Sequence, residues 1–409
     1  MRLLLVTSIR DALLAISESF APLEPEDVPL EVAGNRYTAD EVIAREDIPA
    51  FTRSTVDGYA LRAFETFGAT ENLPTVQKLV GEVQMGKPAP HISPGECCYV
   101  PTGGMLPTQV DAVVMIEQTE ITGDQVLVLR PVAPGENRIL QGEDLCRGQV
   151  VFSRGRKLRG PELGLLASLG LTSVKVIRRP LVCLFSTGDE IVPVETPVLA
   201  PGQVRDANRF GLTHLAVTQM GAVVIDGGIL PDSRGVFQNR VSSALREADM
   251  VVVSGGSSVG NRDFTTQTLR DLAGGELLLE GLAVQPGKPT LLANCHGKPV
   301  LGLPGHPISA LNIFALIGGA ILRRLSGAIG EEWQPSIRAV LAKDISSRPG
   351  RTDLVRVALT KAADLPIATP VLGRSGLLRT LAEADGLIWV PEERDGLPAG
   401  EMVEVYLWT

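Results

Sequence analysis

Two short segments rich in small residues have the composition of ligand-binding loops. Ser186 to Glu190 (STGDE) offers backbone N–H groups to an oxyanion, and its acidic pair could bind a ribose, a pterin or a cation. An ordinary turn between a strand and a helix explains this segment equally well. Ser254 to Gly260 (SGGSSVG) has three glycines that permit close approach to phosphate, but it matches neither a P-loop nor GxGxxG. The alternative is a flexible surface turn.

Two further segments combine proline and glycine with a basic residue. In Gln285 to Pro289 (QPGKP) the prolines fix the backbone, so that the Lys288 ammonium is presented to an anion; the alternative is a solvated lysine. Gly302 to Ala310 (GLPGHPISA) precedes an apolar helix, where N–H groups and the helix dipole can face an anion. Two interpretations stay open for His306: a proton donor or ligand contact, and a packing or capping residue.

Carboxylates beside turn residues form a third group of candidates. Asp57 lies in RSTVDGYA, Asp144 follows Gly142-Glu143, Asp232 follows a predicted strand end, and Asp263 follows SGGSSVG. Taken singly, each is typical of a turn former. As a set they could hold Mg²⁺, which prefers oxygen ligands and keeps several waters.

The glycine-rich loops lie in a region, Arg178 to about Gly327, that is predicted to alternate strands and helices. LVCLFS is a continuous apolar run, typical of a strand buried on both faces of a parallel sheet. Helices predicted over 208–220 and 234–246 alternate with the strands AVVIDGGIL and DMVVVSGG. This order predicts a doubly wound α/β domain, whose ligand crevice lies outside the C-terminal strand ends. The apolar segment Ile308 to Leu322 is shorter than the ~20 residues that span a bilayer and predicts a buried helix.

The regions on either side of this domain have a different pattern. Ser8 to Phe20 has apolar residues at helical spacing and predicts an amphipathic helix. From about Leu30 to Val176, short strands separated by glycine and proline turns predict a β-rich unit. The strands after Gln334 predict a small β-barrel or sandwich.

Composition excludes several classes of protein. A length of 409 residues predicts two to four domains, and 44% hydrophobic with 21% charged residues is typical of a globular enzyme. The net charge of -9 disfavours nucleic acid or an anionic membrane as the main partner. Five scattered cysteines argue against a disulfide framework or a zinc site, and Cys97-Cys98 is predicted to point to opposite faces of a buried strand. The N-terminal apolar stretch is too short for a signal peptide, so the cytoplasm is the predicted location.

Taken in order along nearly the whole chain, these motifs resemble the molybdopterin molybdenumtransferase family, which includes the E domain of gephyrin. Each motif alone is common, whereas the ordered set is specific. The resemblance is carried by STVDGYA at 54–60, Thr102-Gly103 followed by Pro107, DAVVMIEQT at 111–119, NRILQGEDL at 137–145, FSTGDE at 185–190, SGGSSVG with Asp263, PGKP at 286–289, LPGHPISA at 303–310, and Gly373 to Gly376 before Leu381-Ala382 and Asp385 to Leu387.

The resemblance implies a multidomain fold of α/β plus β type. Its parts are a central three-layer α/β/α doubly wound domain, a β-rich inserted domain, a split elongated linker domain and a C-terminal β-barrel. It also implies a homodimer, with each site in a cleft between the α/β domain of one subunit and the β-rich part of the other. The implied boundaries are 1–24 for an N-terminal helix packed on the α/β domain, 25–44 with 146–177 for the split domain, 45–145 for the insertion, 178–327 for the α/β domain and 328–409 for the barrel.

The activity implied by the resemblance is insertion of molybdate into adenylylated molybdopterin, with release of AMP, in the presence of Mg²⁺. Asp57, Thr102 and Asp144 would reach the site from the partner subunit, and Lys288 and Ser375 would face oxyanions. The implied catalytic residues are Asp57, Asp144, Asp232, Asp263 and Lys288, with Asp232 and Asp263 as metal ligands. The implied substrate-binding residues are Thr102, Ser186, Thr187, Glu190, Ser254, Gly255, Gly256, Pro286, Gly287, Pro304, Gly305, His306, Pro307 and Ser375.

Two departures from the family pattern and two rival functions bear on this interpretation. Gln285 stands where the family often has Lys, and His306 replaces the Asn of LPGNP; both can still donate hydrogen bonds. An adenylyltransferase acting on the same pterin is one rival, but it needs only the α/β domain. A non-catalytic scaffold is the other, and the carboxylate and lysine positions argue against it. A molybdopterin adenylyltransferase and molybdoenzyme maturation proteins are candidate partners.

Overall fold

The structure is a computed structural model that describes residues 6–255, 262–274, 277–330, 337–374 and 376–408, with side chains in the second segment from Thr265 onward. The chain forms two compact units. Unit 1 comprises Met1–Ala39, Gly155–Leu158 and Lys175–Thr409, and unit 2 comprises Asp40–Arg154 and Arg159–Val174. The domain boundaries given above stay predictions.

The helices of the described chain are short. Two of them continue into π-helical turns, Leu215–Gln219 and Phe314–Gly318. The α-helices are α1 (Ile9–Ser19), α2 (Gly160–Ser168), α3 (Asn208–His214), α4 (Arg234–Glu247), α5 (Arg262–Leu272), α6 (Pro307–Ile313), α7 (Gly319–Leu325) and α8 (Arg379–Ala382).

The strands are equally short and distribute over several sheets. They are β1 (Pro25–Pro29), β2 (Val42–Ile43), β3 (Arg53–Ser54), β4 (Gly58–Leu61), β5 (Thr75–Glu82), β6 (Glu96–Val100), β7 (Ala112–Met115), β8 (Thr119–Thr122), β9 (Gln125–Val128), β10 (Arg138–Ile139), β11 (Val150–Phe152), β12 (Ser173–Ile177), β13 (Leu181–Thr187), β14 (Ile191–Val192), β15 (Val204–Arg205), β16 (Val223–Leu230), β17 (Met250–Gly255), β18 (Leu279–Glu280), β19 (Val284–Gln285), β20 (Leu291–Cys295), β21 (Lys298–Leu303), β22 (Ile337–Leu341), β23 (Ile345–Ser346), β24 (Thr352–Thr360), β25 (Ile367–Pro370), β26 (Gly386–Val390), β27 (Gly396–Leu397) and β28 (Met402–Leu407).

The main sheet of unit 1 has the strand order β16-β13-β17-β21-β20-β18. Its first four strands are parallel, and three of them, β13, β16 and β17, were predicted to belong to a parallel sheet. Strand β20 runs antiparallel to β21, and β18 pairs antiparallel with β20. The β20–β21 hairpin was not predicted from the sequence; its two-residue turn places His296 and Gly297 at positive φ. In chain order β13 is followed by β16 on one side and by β17 on the other. The order therefore reverses at β13, which is where doubly wound sheets bind ligands.

Alternate residues of β13 enter two separate cores. Val182 and Leu184 pack with residues of α1, α3 and α6, whereas Cys183 and Phe185 pack with residues of α4 and α5. Helices thus cover both faces of the sheet. The continuous apolar run LVCLFS follows from this arrangement, and the predicted three-layer α/β/α fold is confirmed.

The apolar segment before the C-terminal region is a core helix, as predicted. Pro307–Leu325 is long and apolar enough to cross a membrane by length and composition alone, but 83% of that window is buried inside the protein. Ile313, Phe314 and Ile321 of this helix belong to the same core as Val182 and Leu184.

The C-terminal part of unit 1 contains a closed five-stranded barrel. Its strands follow the order β24-β25-β22-β28-β26, and β26 pairs with β24 to close the barrel. Closure decides between the predicted barrel and the alternative sandwich. The short strand β19, which precedes the PGKP segment, runs parallel to β24 and pairs Gln285 with Asp353.

Unit 2 is built on one sheet with the order β7-β4-β6-β5-β9-β8. The predicted turn Thr122-Gly123-Asp124 joins the antiparallel strands β8 and β9. Cys97 and Cys98 lie on β6 and enter two different cores, as predicted. Burial raises the pKa of the Cys97 thiol to about 12 and that of Cys98 to about 11, so both act as small apolar residues.

Candidate active site at the carboxyl ends of the parallel strands

A cavity of about 750 Å³ opens at the carboxyl ends of the parallel strands of unit 1. It combines the loops after β13, β16, β17 and β21 with the start of α3 and with a loop that precedes α8. Its lining residues are Ser186, Thr187, Gly188, Glu190, Ile191, Val204, Arg205, Asp206, Ala207, Asn208, Asp232, Ser254, Gly255, Gly305, His306, Pro307, Gly376 and Leu378.

Gly255 allows two of these loops to approach each other closely. It has φ of +116°, and a Cβ atom there would lie 2.2 Å from the backbone oxygen of Thr187. Since that contact is with backbone, no side-chain movement could relieve it. The SGG motif therefore needs glycine at this position both for its backbone conformation and for its contact with the STGDE loop.

Asn208 connects the start of α3 with two loops of the cavity. Its Nδ2 donates to Ser254 Oγ at 2.8 Å and to the carbonyl oxygen of Gly305 at 2.9 Å. Asn208 itself begins α3, and it is only 9% exposed. These two hydrogen bonds hold the loops after β17 and β21 at a fixed distance from the start of α3.

Several buried polar atoms in the cavity have unused hydrogen-bonding capacity. The atoms without a hydrogen-bond partner include Ser186 Oγ, Thr187 Oγ1, Asp206 Oδ2 and Asn208 Oδ1. All four residues are at least nine-tenths buried. Leaving such an atom unsatisfied costs about 1–3 kcal/mol. Their concentration in one cavity indicates a place where a polar ligand completes the hydrogen bonds.

The charged groups that line the cavity are mostly acidic. Glu190, Asp206 and Asp232 contribute carboxylates. The Arg205 guanidinium donates instead to the carbonyl oxygens of Thr196, at 2.6 Å, and Pro197. A polyanionic ligand would thus need a cation or further donors in this cavity.

Comparison with known proteins identifies the family. Models described as the MoeA N-terminal region (domains I and II), a "probable molybdopterin binding domain" and the MoeA C-terminal region (domain IV) match residues 7–170, 183–324 and 338–408. The molybdopterin molybdenumtransferase of Haemophilus influenzae is 32% identical, with 94% of each chain covered. Molybdopterin molybdenumtransferase 2 of Mycobacterium tuberculosis is 31% identical, with 98% of this chain and 99% of the relative covered.

The chain belongs to the molybdopterin molybdenumtransferase family. Crystal structures of the MoeA protein from Pyrococcus horikoshii agree with this: one has a TM-score of 0.84 at 30% identity, and another has 0.78 at 34% identity. The first covers 98% of this chain and 100% of its own, and the second covers 99% of each. The family, the fold class and the transferase function in molybdenum cofactor biosynthesis, all implied by the motifs, are confirmed.

Many of the residues implied by this family lie together in the cavity. The structure brings together Ser186, Thr187, Glu190, Asp232, Ser254, Gly255, Gly305, His306 and Pro307. Pro304 is buried just before them and does not line the cavity. Three other implied residues lie outside the described part of the chain: Gly256, the side chain of Asp263, and Ser375. Gly376 and Leu378, which closely follow Ser375, do line the cavity.

The PGKP segment, with Pro286, Gly287 and Lys288, does not line this cavity. Gly287 packs against α6, because a Cβ atom there would lie 2.4 Å from Ile313 Cδ1. Thr290 Oγ1 donates to the Gly287 carbonyl oxygen at 2.6 Å and fixes the turn. The Lys288 residue is exposed.

A buried arginine on β24, the strand that pairs with β19, was not predicted from the sequence. Arg356 is 6% exposed on β24, and its guanidinium donates to the Gly373 carbonyl oxygen at 2.9 Å. Its Nε has no hydrogen-bond partner, and burial lowers the pKa of Arg356. Arg356 lies three residues beyond Asp353, which pairs with Gln285 of β19. Lys288 follows the turn after β19, and its carbonyl oxygen accepts from the Leu282 N–H at 2.9 Å. The sequence DLVRVALT gave only strand periodicity, which does not distinguish a buried arginine from an exposed one.

In unit 2 the structure brings Asp57 and Thr102 together. The Thr102 backbone N–H donates to Asp57 Oδ1 at 2.7 Å, and the Thr102 hydroxyl donates to the same oxygen at 3.1 Å. Both residues are exposed, and so is Asp144, whose backbone N–H donates to the Ile48 carbonyl oxygen. The roles implied for these three residues stay predictions.

Asp206 and Asn208 are cavity residues that the sequence analysis did not single out. An Asp two residues before an Asn at a predicted helix start is typical of helix capping, and Asp206 Oδ1 does accept from the Arg209 backbone N–H. The useful signal was the position of RDAN within the α/β region. It begins the helix that follows the STGDE loop, at the ligand-binding edge of the sheet.

Proposed function

We propose that the chain inserts molybdate into adenylylated molybdopterin and releases AMP, with Mg²⁺ as the cofactor. The observation that carries this proposal is the cavity at the reversal of strand order, which concentrates buried polar atoms without hydrogen bonds. The matching molybdopterin-binding model spans residues 183–324, and most of the cavity lies within that range.

The acidic lining supports a role for Mg²⁺. Glu190, Asp206 and Asp232 would repel the phosphates of the substrate, and a divalent cation would neutralise that repulsion. Within the described residues no three His, Cys, Asp or Glu side chains converge on a metal site. Mg²⁺ fits such a site, because it is usually held by one or two carboxylates together with waters and substrate phosphates. We assign Asp232 as one protein ligand and Asp263 as the second.

Molybdate is proposed to bind outside this cavity, near Lys288 and Arg356. Lys288 is exposed in the turn after β19, and Arg356 lies on β24, the strand that pairs with β19. The buried Arg356 has an N–H without an acceptor. An oxyanion would supply that acceptor. Gln285 contributes an amide where the family often has Lys, so this site carries one positive charge fewer.

The reaction consists of two coupled exchanges. Water attacks phosphorus, the phosphoanhydride P–O bond breaks, and AMP leaves. The two dithiolene thiols then bind molybdenum, and their protons leave with one oxo ligand as water. Bound Mg²⁺ would supply charge neutralisation and polarisation of a phosphoryl oxygen. The chain's own groups bind and orient the substrate. The hydroxyls of Ser186 and Thr187 donate to it, and the hydrogen bonds of Asn208 hold the surrounding loops in place.

A direct assay tests this function against its rival. Purified protein is given adenylylated molybdopterin and molybdate, with and without Mg²⁺, and AMP and active cofactor are measured. We expect both products, at a rate that falls at least tenfold without Mg²⁺. Formation of adenylylated molybdopterin from ATP, with no consumption of it, would instead identify an adenylyltransferase.

The proposed assembly is a cytoplasmic homodimer in which Asp57, Thr102 and Asp144 of one subunit complete the site of the other. Mixing inactive Asp57→Asn subunits with inactive Asp232→Asn subunits tests this directly. A hybrid dimer would carry one site with neither substitution, so we expect up to about one quarter of wild-type activity to return after random exchange. No recovery, with hybrid dimers present by mass spectrometry, would exclude a shared site. Full activity of both single variants would favour a scaffold role.

A further inference from the structure

Two residues that are two positions apart in the sequence, Asp206 and Asn208, each have one hydrogen-bond acceptor without a donor. Asp206 is 4% exposed, and its Oδ2 has no hydrogen bond. Asn208 is 9% exposed, and its Oδ1 has none either. Both residues line the cavity. A ligand that satisfies them must present two donors.

The orientation of the Asn208 amide is fixed by its partners. The Gly305 carbonyl oxygen lies 2.9 Å from the side-chain nitrogen, and a carbonyl oxygen can only accept. Exchanging the nitrogen and oxygen atoms would put two acceptors face to face. The unused atom of Asn208 is therefore an acceptor.

The position of the Asp206 carboxylate is fixed as well. Its backbone N–H donates to the Val192 carbonyl oxygen at 2.9 Å, and its Oδ1 accepts from the Arg209 N–H at 3.3 Å. Arg209 Nε is 3.9 Å from Oδ2, which is too long for a hydrogen bond, and the Arg209 guanidinium donates to Asp226 instead. Asp206 thus keeps one oxygen for a donor from the cavity.

We propose that Asp206 and Asn208 recognise the 2-amino-4-oxo edge of the pterin ring. This assignment rests on the proposed function and names the part of the substrate that these residues select. The pterin presents N3–H and the 2-amino group side by side, and together they supply the two donors. The Watson–Crick edge of adenine has an acceptor beside its amino group, which would face one of the two protein acceptors. The ionised phosphoanhydride of the substrate and molybdate offer no donor.

The test is a change of ligand preference. Binding of pterin is compared by fluorescence titration with binding of lumazine, in which an oxo group replaces the 2-amino group. For the wild-type protein we expect pterin to bind about 10- to 100-fold more tightly than lumazine, because lumazine would set its oxo group against an acceptor. This comparison uses only the wild-type protein, so its result does not depend on whether a substituted protein folds.

Asp206→Asn exchanges one acceptor for a donor of the same shape. We expect pterin binding to weaken about 10- to 100-fold, lumazine binding to improve and AMP binding to stay within about twofold. Asp226→Asn is the matched control, because Asp226 also contacts Arg209 but does not line the cavity. It should leave the preference unchanged.

Three outcomes would overturn the assignment: equal binding of pterin and lumazine to the wild-type protein, an unchanged preference in a folded Asp206→Asn variant, or a loss of AMP binding alone. Failure of the proposed function is seen separately. A protein that prefers pterin to lumazine but never releases AMP from adenylylated molybdopterin would retain this site and lose the proposed reaction.

Discussion

The cavity of unit 1 and the Asp57–Thr102 pair of unit 2 contain similar residue types. They differ in burial and in how far their hydrogen-bonding groups are already satisfied. In the cavity, hydroxyl, amide and carboxylate groups are buried and have unused hydrogen-bonding capacity. In unit 2, the exposed Asp57 carboxylate already accepts two hydrogen bonds from Thr102. The first region is prepared for a ligand that replaces water, and the second holds a carboxylate in position beside solvent.

This difference has an energetic consequence. Charges and dipoles interact more strongly away from water, so an equal change should alter the binding of ligand within unit 1 more in the cavity than at the exposed pair. A buried group left without its partner also costs more than an exposed one, which water can satisfy. The two regions can therefore be compared by equivalent substitutions.

The largest effect is expected for Asp232→Asn. The substitution keeps the shape of the side chain but removes a carboxylate that is proposed to bind Mg²⁺ in the cavity. We expect turnover to fall by about 10²- to 10³-fold, with an increased Mg²⁺ requirement and an unchanged melting temperature. Steady-state kinetics over a Mg²⁺ titration measure both effects.

Asp271→Asn is the control for charge alone, because Asp271 pairs with Arg234 on the surface. It should keep wild-type turnover. An Asp232→Asn enzyme with full turnover at the wild-type Mg²⁺ concentration would contradict the role given to the cavity.

The second effect concerns the backbone of the cavity. Gly255→Ala would place a Cβ atom 2.2 Å from the Thr187 oxygen at a φ of +116°, so the two loops must separate. We expect a destabilisation of about 1–3 kcal/mol together with at least tenfold weaker binding of pterin. Chemical denaturation and fluorescence titration measure the two quantities.

Gly202→Ala separates the effect of conformation from that of contact. Gly202 has φ of +88° with nothing within 4 Å of the added Cβ. It should lose about 1 kcal/mol of stability and keep its pterin affinity. Equal losses of affinity in the two variants would mean that the close approach at Gly255 does not shape the site.

Most of the cavity could be predicted from the sequence because its residues follow recognisable strands. LVCLFS and DMVVVSGG predict buried strands, and the carboxyl ends of parallel strands meet at one edge of a sheet. Ser186, Ser254 and Gly255 therefore meet where the pattern placed them. The antiparallel strand β20 and the short strand β18 beside it were not predicted, since a short apolar run gives no strand direction.

The sequence did not show which motifs line the cavity and which lie elsewhere in the fold. PGKP and LPGHP are close in sequence and similar in composition, but only the second lines the cavity. The difference depends on the pairing of β19 with β24 of the barrel, a contact between residues some 70 positions apart that no local pattern encodes. Arg356 was missed for the same reason, since burial of an arginine depends on packing and not on periodicity.

A third effect tests an ion pair away from both regions, between the half-buried Arg178 and the buried Asp249. Arg178 donates to both oxygens of Asp249, at 2.6 and 2.7 Å, and the Leu181 N–H donates to the same carboxylate. Burial alone would raise the pKa of Asp249, but these hydrogen bonds outweigh it and lower the pKa below its ordinary value. The folded protein therefore stabilises the ionised form of Asp249. The resulting stability is fully present above the unfolded pKa of about 4 and is lost as the pH falls through the lower folded pKa.

Asp249→Asn should therefore cost about 1–3 kcal/mol at pH 7, and the difference from wild type should shrink as the pH falls below about 4. Denaturant unfolding at several pH values measures this. Pterin binding at pH 7 should stay at the wild-type level, because Asp249 does not line the cavity. A pH-independent difference would mean that Asp249 acts through shape and not through charge.

The last comparison involves the smallest change, the removal of one hydroxyl group from each region. It is the most direct comparison of the two regions, because the same chemical group is lost in both. Thr102→Val deletes the 3.1 Å hydrogen bond to Asp57 but leaves the 2.7 Å backbone bond, and water can reach the exposed carboxylate. We expect a change below about 1 kcal/mol in the free energy of unfolding. Ser254→Ala removes a buried acceptor of the Asn208 amide and should cost about 1–3 kcal/mol, because that donor has no water to replace the serine. Denaturant unfolding of both variants gives the difference directly. Equal losses would mean that the cavity is hydrated like the surface, and its unused hydrogen-bonding atoms would then belong to water and not to a substrate.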